Sequence, residues 1–213
     1  MDSWSDDSCE KTLSVKVRLT WQPEGIASFY PLLSRGVMLP GRPGATVGSV
    51  LSGQLQISEE SLCQRTRAIF LDGKTVAQPD AARLKTGSTL ALSAVLTEPF
   101  LLRAFGDTGT RVIRPYDRRE SLTDPAYSMK HFFYLKLFNL MLDELGPRIL
   151  NSGVGIEARN FEKFLAEKPE RFWEGLETAM IDQVVTTVEA FRFFPWSQVN
   201  GTVGLTVEKA AQR

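Results

Sequence analysis

The stretch on which the fold turns is Thr12-Leu13-Ser14-Val15-Lys16-Val17-Arg18-Leu19-Thr20-Trp21. Leu13, Val15, Val17, Leu19 and Trp21 share one parity, and Lys16, Arg18 and Thr20 share the other. A period of two marks a strand buried on one face, because successive side chains point to opposite sides. Gln22–Gly44 follows with Pro23, Pro31, Pro40 and Pro43 and four glycines, and it reads mostly as loop with a short strand near Val37–Leu39. Thr46 suits an N-cap for a helix running to about Leu55, with Val47, Val50, Leu51 and Leu55 on one face.

Beyond that helix, Ser58 opens a short turn through Leu62, and Thr66–Leu71 reads as a strand. Asp72–Gly73 is a strong hairpin signal, since both central residues of the tight turn take positive φ, and Val76 continues the return arm. Leu84, Thr86 and Gly87 make another turn, and Thr89–Leu96 alternates as a strand.

This order resembles the β-grasp fold of the ubiquitin-like and small sulfur-carrier family over about residues 12–97. The resemblance is carried by Gly44, Ala45, Thr46, Val47 and Leu51, by Ile69-Phe70-Leu71-Asp72-Gly73-Lys74 with Val76, and by Leu84-Lys85-Thr86-Gly87-Ser88 with Leu90. It implies that Thr12–Trp21 pairs with Thr89–Leu96, and that Leu13, Val15, Val17, Leu51, Ile69 and Leu90 share a core. The carriers end in a Gly-Gly tail that is activated at its carboxylate; no Gly-Gly pair occurs here, so their chemistry is carried over to no residue.

Residues 98–127 read as a connector, with a hairpin suggested by Phe100–Phe105 and Thr110–Ile113 around Gly106–Gly109. Residues 126–150 read as a helix, apolar on most sides over Met129–Leu145; Glu157–Ala166 and Pro169–Ile181 read as two more. Gln183–Phe193 is either a strand, favoured by its β-branched run, or a helical continuation. Asn200–Gly201 marks a turn into a last strand bearing Val203, Leu205 and Val207, and no internal repeat is evident. The expected fold class is α+β: a flexible segment at 1–11, a β-grasp domain at 12–97, the connector, and a helix-rich α+β domain at 128–213.

The 213 residues carry 25 basic and 25 acidic side chains. Balanced charge removes the main reason to expect a nucleic-acid partner. Cys9, Cys63 and the single His131 cannot make a usual zinc site, and two free thiols in a reducing compartment are expected. The polar, acidic start lacks the pattern of a signal peptide, and no run of about 18 apolar residues occurs, so a cytoplasmic location without membrane contact is expected.

Arg111, Arg114, Arg118 and Arg119 are candidate anion contacts, although Asp107, Asp117 and Glu120 are interleaved with them. Gly41–Ser49 lacks the Lys-Ser/Thr ending of a phosphate loop. Glu157, Glu162, Glu167, Glu170, Glu174 and Glu177 alternate with basic residues as on solvated helix faces. Phe191, Phe193, Phe194 and Trp196 form a candidate partner surface, because so dense an aromatic run cannot bury every ring on one side, and Phe132 joins it from the apolar helix over Met129–Leu145. These features lead to the expectation of a non-enzymatic binding or scaffold protein, without cofactor or metal, that contacts a protein partner and self-associates. The alternatives are an accessory component of molybdopterin- or thiamine-type cofactor biosynthesis, implied by the resemblance, or an enzyme with a site between the domains.

Overall fold

The computed structural model describes residues 11–57, 67–94, 128–129 and 131–211. Ten strands run side by side in one mixed sheet, and the class is α+β as expected. In chain order these are β1 (Lys11–Trp21), β2 (Val37–Pro40), β3 (Arg67–Leu71), β4 (Lys74–Thr75), β5 (Thr89–Ala94), β7 (Phe132–Asn139), β8 (Val154–Glu157), β9 (Leu176–Ile181), β10 (Val184–Thr186) and β11 (Thr202–Lys209). Across the sheet the order is β10-β9-β1-β11-β8-β2-β7-β5-β3-β4, and a short β6 (Ser128–Met129) pairs with the start of β1. The helices are α1 (Tyr30–Arg35), α2 (Val47–Ser49, continued by a wider turn over Val50–Gln54), α3 (Leu140–Ser152), α4 (Ala158–Ala166), α5 (Glu170–Trp173) and α6 (Val188–Arg192).

The alternation in Thr12–Trp21 makes a strand with Val15, Val17, Leu19 and Trp21 buried, but its partners differ from expectation. β1 lies between β11, to which it is parallel, and β9; the parallel partner of β5 is β7. An alternating pattern chooses a face, not a neighbour. What seats β1 is the row of Val203, Leu205 and Val207 across from it, together with the aromatic group of Phe29 and Phe172 that closes on Trp21 at 4.8 and 4.6 Å. The pairing therefore crosses the boundary expected at residue 97. Val15, Val17, Leu51, Ile69 and Leu90 do share one core, which is continuous through both halves of the sheet, while the side chain of Leu13 lies outside those described. Helix α3 spans the two halves, packing on β7 and β5 of one and on β11 of the other.

Other elements also correct the sequence reading. The apolar run read as a helix over Met129–Leu145 is β7 followed by the first turns of α3. A strand in mid-sheet carries apolar residues on both faces: Phe133, Leu135 and Leu137 join the core, while Tyr134 and Lys136 face the other side, half-buried. Pro169–Ile181 is one helical turn and then β9, broken at Gly175, where any Cβ would lie 2.5 Å from Nε1 of Trp21. Gln183–Phe193 is β10 and then α6; the Thr187 hydroxyl accepts the Ala190 N–H at 3.1 Å and starts the helix. Within Gln22–Gly44, strand β2 is where expected. Pro23 and Pro31 open a 3-10 helix (Pro23–Phe29) and α1, where a missing N–H costs nothing. Thr46 caps α2, accepting the Ser49 N–H at 3.1 Å, and Val47, Val50, Leu51 and Leu55 are buried. The readings at 1–10, 58–66 and 95–127 lie outside the described residues.

The two halves of the sheet repeat one plan. Outward from the β2–β8 seam, β7, β5, β3 and β4 on one side match β11, β1, β9 and β10 on the other, each with a parallel second pair and a terminal hairpin. Helices α2 and α4 follow β2 and β8. On the face away from the helices, one register row crosses the seam through Thr89, Tyr134, Met38, Gly155, Gly204 and Lys16.

Both ends of that row are closed by an aspartate at a hairpin turn. The Asp72 N–H donates to the Thr89 carbonyl at 2.9 Å and its carboxylate accepts the Thr89 N–H at 2.7 Å. Asp182 makes the same two bonds to Lys16, each 2.8 Å. Each turn also has two positive φ values, +50° and +77° at Asp72–Gly73 and +46° and +71° at Asp182–Gln183. The row is thus related to itself by a pseudo-two-fold axis between Met38 and Gly155.

Candidate functional site

Two places on the described surface stand out, the seam and the far edge. At the seam, the two positions of the row nearest the axis are Met38 and Tyr134 on one side and glycines 155 and 204 on the other. Two residues along, on the same face, Gly36 lies between Lys136 of β7 and Glu157 of β8. The missing side chains of Gly36 and Gly155 open a shallow depression of about 270 Å3, with Arg35, Thr89 and Asn160 also on its walls.

The Lys136 stem lies over Gly36: a Cβ there would stand 3.2 Å from Cε. Glu157 receives a long 3.4 Å bond from the Asn160 amide. Arg35 is committed to Glu167 at 2.8 Å, and that hydrogen bond holds the Glu167 carboxyl below the usual carboxylate range. Nearby, Lys168 rests 3.9 Å over the Phe164 ring and donates to the Ser28 carbonyl at 2.9 Å; burial lowers its ammonium below the ordinary lysine range.

The far edge is β10, ending the sheet. Val184 and Val185 are 68% and 66% exposed, and Phe193, just after α6, is 80% exposed. These are three of the four large apolar side chains exposed among the described residues, and they fall within ten consecutive positions. Around the two-residue turn, Ile181–Val184 is the closing hydrogen-bonded pair, so the N–H and C=O of Val185 point away from β9. The opposite edge, β4, has two residues and carries Lys74, which blunts it.

Of the expected partner surface, only Phe193 is exposed. Phe191 and Trp196 are buried: the Trp196 indole donates to the Phe191 carbonyl at 3.2 Å and meets the Phe161 ring edge-on at 5.0 Å. Phe194 is half-buried against Trp196, and Phe132 is buried beside Tyr134. The chain buries rings on more than one side by following α6 with a 3-10 turn (Trp196–Gln198), which wraps Trp196 back onto the core.

Arg111, Arg114, Arg118 and Arg119 lie outside the described residues, as do Cys9 and Cys63. His131 is exposed, with Nδ1 3.0 Å from the Thr86 hydroxyl. Glu167 and Glu170 sit on solvated helix ends in pairs with Arg35 and Arg192, the latter bidentate at 2.8 and 2.6 Å. The sequence alone places Lys136 in a helix, and the β-branching of Val184–Val185 signals a strand without signalling an edge. Among the described residues no cluster of three or more His, Cys, Asp or Glu side chains is placed to hold a metal, and no helix is long and apolar enough to cross a membrane. No family model, curated protein or solved structure matches the chain.

Proposed function

We propose that this chain is a non-enzymatic protein-binding module, built of two β-grasp-type halves, that acts through the β10 edge and pairs there with a second copy of itself. In the first half, the role of the family's opening strand falls to β7, which runs parallel to β5 where Thr12–Trp21 was expected. The observation that carries the binding reading is the exposure of Val184 and Val185 on the open strand β10, with the exposed Phe193 eight residues further along the chain. Exposed apolar side chains beside outward backbone donors and acceptors favour the addition of a strand. Two antiparallel copies of β10 centred on Val185 would exchange its N–H and C=O reciprocally, the self-complementary arrangement of a two-fold dimer. Zero formal charge leaves little long-range repulsion against it.

Sedimentation at micromolar concentration tests the reading. The wild type is expected at about twice 23.8 kDa. Val185→Lys and Phe193→Glu are each expected to sediment as folded monomers. A wild type that stays monomeric across that range, or a dimer indifferent to both changes, overturns the proposal.

A further inference from the structure

At the seam depression the oppositely charged Lys136 and Glu157 flank Gly36 and make no ion pair with each other. Lys136 is half-buried and has no ion pair or hydrogen bond among the described residues, while its neighbour Arg35 is engaged elsewhere. The Lys136 stem is held over Gly36 and its ammonium is unpartnered among the described residues, so an anion that reaches it gains a charge-assisted hydrogen bond. On the opposite wall, Glu157 has, among the described residues, only the long Asn160 contact and retains capacity to accept further donors.

The volume, about 270 Å3, lies below the roughly 300–1,000 Å3 of pockets for drug-sized ligands. Because β2 intervenes, the backbones of β8 and β7 stand two strand spacings apart, roughly 9–10 Å. The Lys136 stem extends into that width over Gly36, so the space left suits a ligand whose ammonium and carboxylate lie close together, about 3 Å apart as in an α-amino acid. A doubly charged anion such as phosphate would instead face the Glu157 carboxylate.

We infer that the β2–β8 seam binds a small zwitterion of the α-amino-acid class, its carboxylate on Lys136 and its ammonium on Glu157 and Asn160. This site is in mid-sheet, five strands from the β10 edge, so it stands or falls independently of self-association.

The test is titration of the full chain with L-leucine, N-acetyl-L-leucine and L-leucinamide, followed by amide chemical shifts. L-Leucine is expected to saturate with a dissociation constant in the millimolar range or tighter, and each blocked form to bind about tenfold or more weakly, the loss of one charged hydrogen bond. Lys136→Met should erase the preference for L-leucine over L-leucinamide, and Glu157→Gln the preference over N-acetyl-L-leucine. Lys136→Arg should keep both preferences, which separates lost recognition from lost fold. Absence of saturable shifts, equal binding of the blocked forms, or preferences unchanged in both Lys136→Met and Glu157→Gln would overturn the assignment.

Discussion

The pseudo-two-fold plan predicts that Asp72 and Asp182, at opposite ends of the sheet, do the same structural work. Asp72 accepts the Thr89 N–H at 2.7 Å and the Ser88 hydroxyl at 3.0 Å, and it sits at φ +50°. Replacing it with alanine removes two half-exposed bonds of about 1 kcal/mol each and forces a Cβ-bearing residue without a local polar anchor into the left-handed region, for about 1 kcal/mol more. The expected loss is about 3 kcal/mol, or about 6 to 12 °C in Tm for a chain of this length.

Asp182 accepts one bond, from the Lys16 N–H, at φ +46°; its alanine variant should lose about 2 kcal/mol. Asparagine keeps both the left-handed tolerance and one acceptor oxygen, so either Asp→Asn change should cost about 1 kcal/mol or less. Urea unfolding followed by tryptophan fluorescence measures all four variants on one scale. If Asp182→Ala costs less than about 0.5 kcal/mol while Asp72→Ala costs about 3, the two turns are not equivalent and the reasoning from matching halves is refuted.

Other expectations follow from single contacts. Gln183 occupies φ +71° in the place where the first hairpin has Gly73, so Gln183→Gly should raise stability by about 1 kcal/mol, read from the urea midpoint. Gly175→Ala drives a Cβ to 2.5 Å from the Trp21 indole and should cost at least about 2 kcal/mol, with a changed tryptophan emission in any folded fraction. Glu167 and Glu170 have carboxyl groups held low by hydrogen bonds from Arg35 and Arg192, so their contributions are present above the unfolded carboxylate range and disappear as pH falls through the depressed folded values. A Glu167→Gln/Glu170→Gln variant should therefore show a shallower fall of Tm between about pH 5 and 3 than the wild type, and an unchanged slope would contradict this.

What could be read from the chain alone was local, because the signals that decide it are short-range. The alternation of Val15, Val17, Leu19 and Trp21, the Thr46 cap, the Asp72–Gly73 turn and the final strand at Val203, Leu205 and Val207 each arise from sterics and hydrogen bonds within a few residues. The α+β class follows from adding them up. Strand partnership arises from shape matching between segments remote in sequence, and here it reversed expectation: β1 joins residues 176–209, and β5 takes β7 as its parallel neighbour. The same limit hid β7, since a strand enclosed on both sides has the apolar density of a buried helix and no clean period. It hid the repeated plan of the halves as well, for matching strands need only the same faces apolar, and the aspartate at each turn is the clearest residue that they share. The seam site belongs wholly to the tertiary structure. Gly36, Lys136 and Glu157 are separated by about a hundred residues of chain on one side and about twenty on the other. The register of β7 and of β8 on β2 is what brings Lys136 and Glu157 to either side of Gly36.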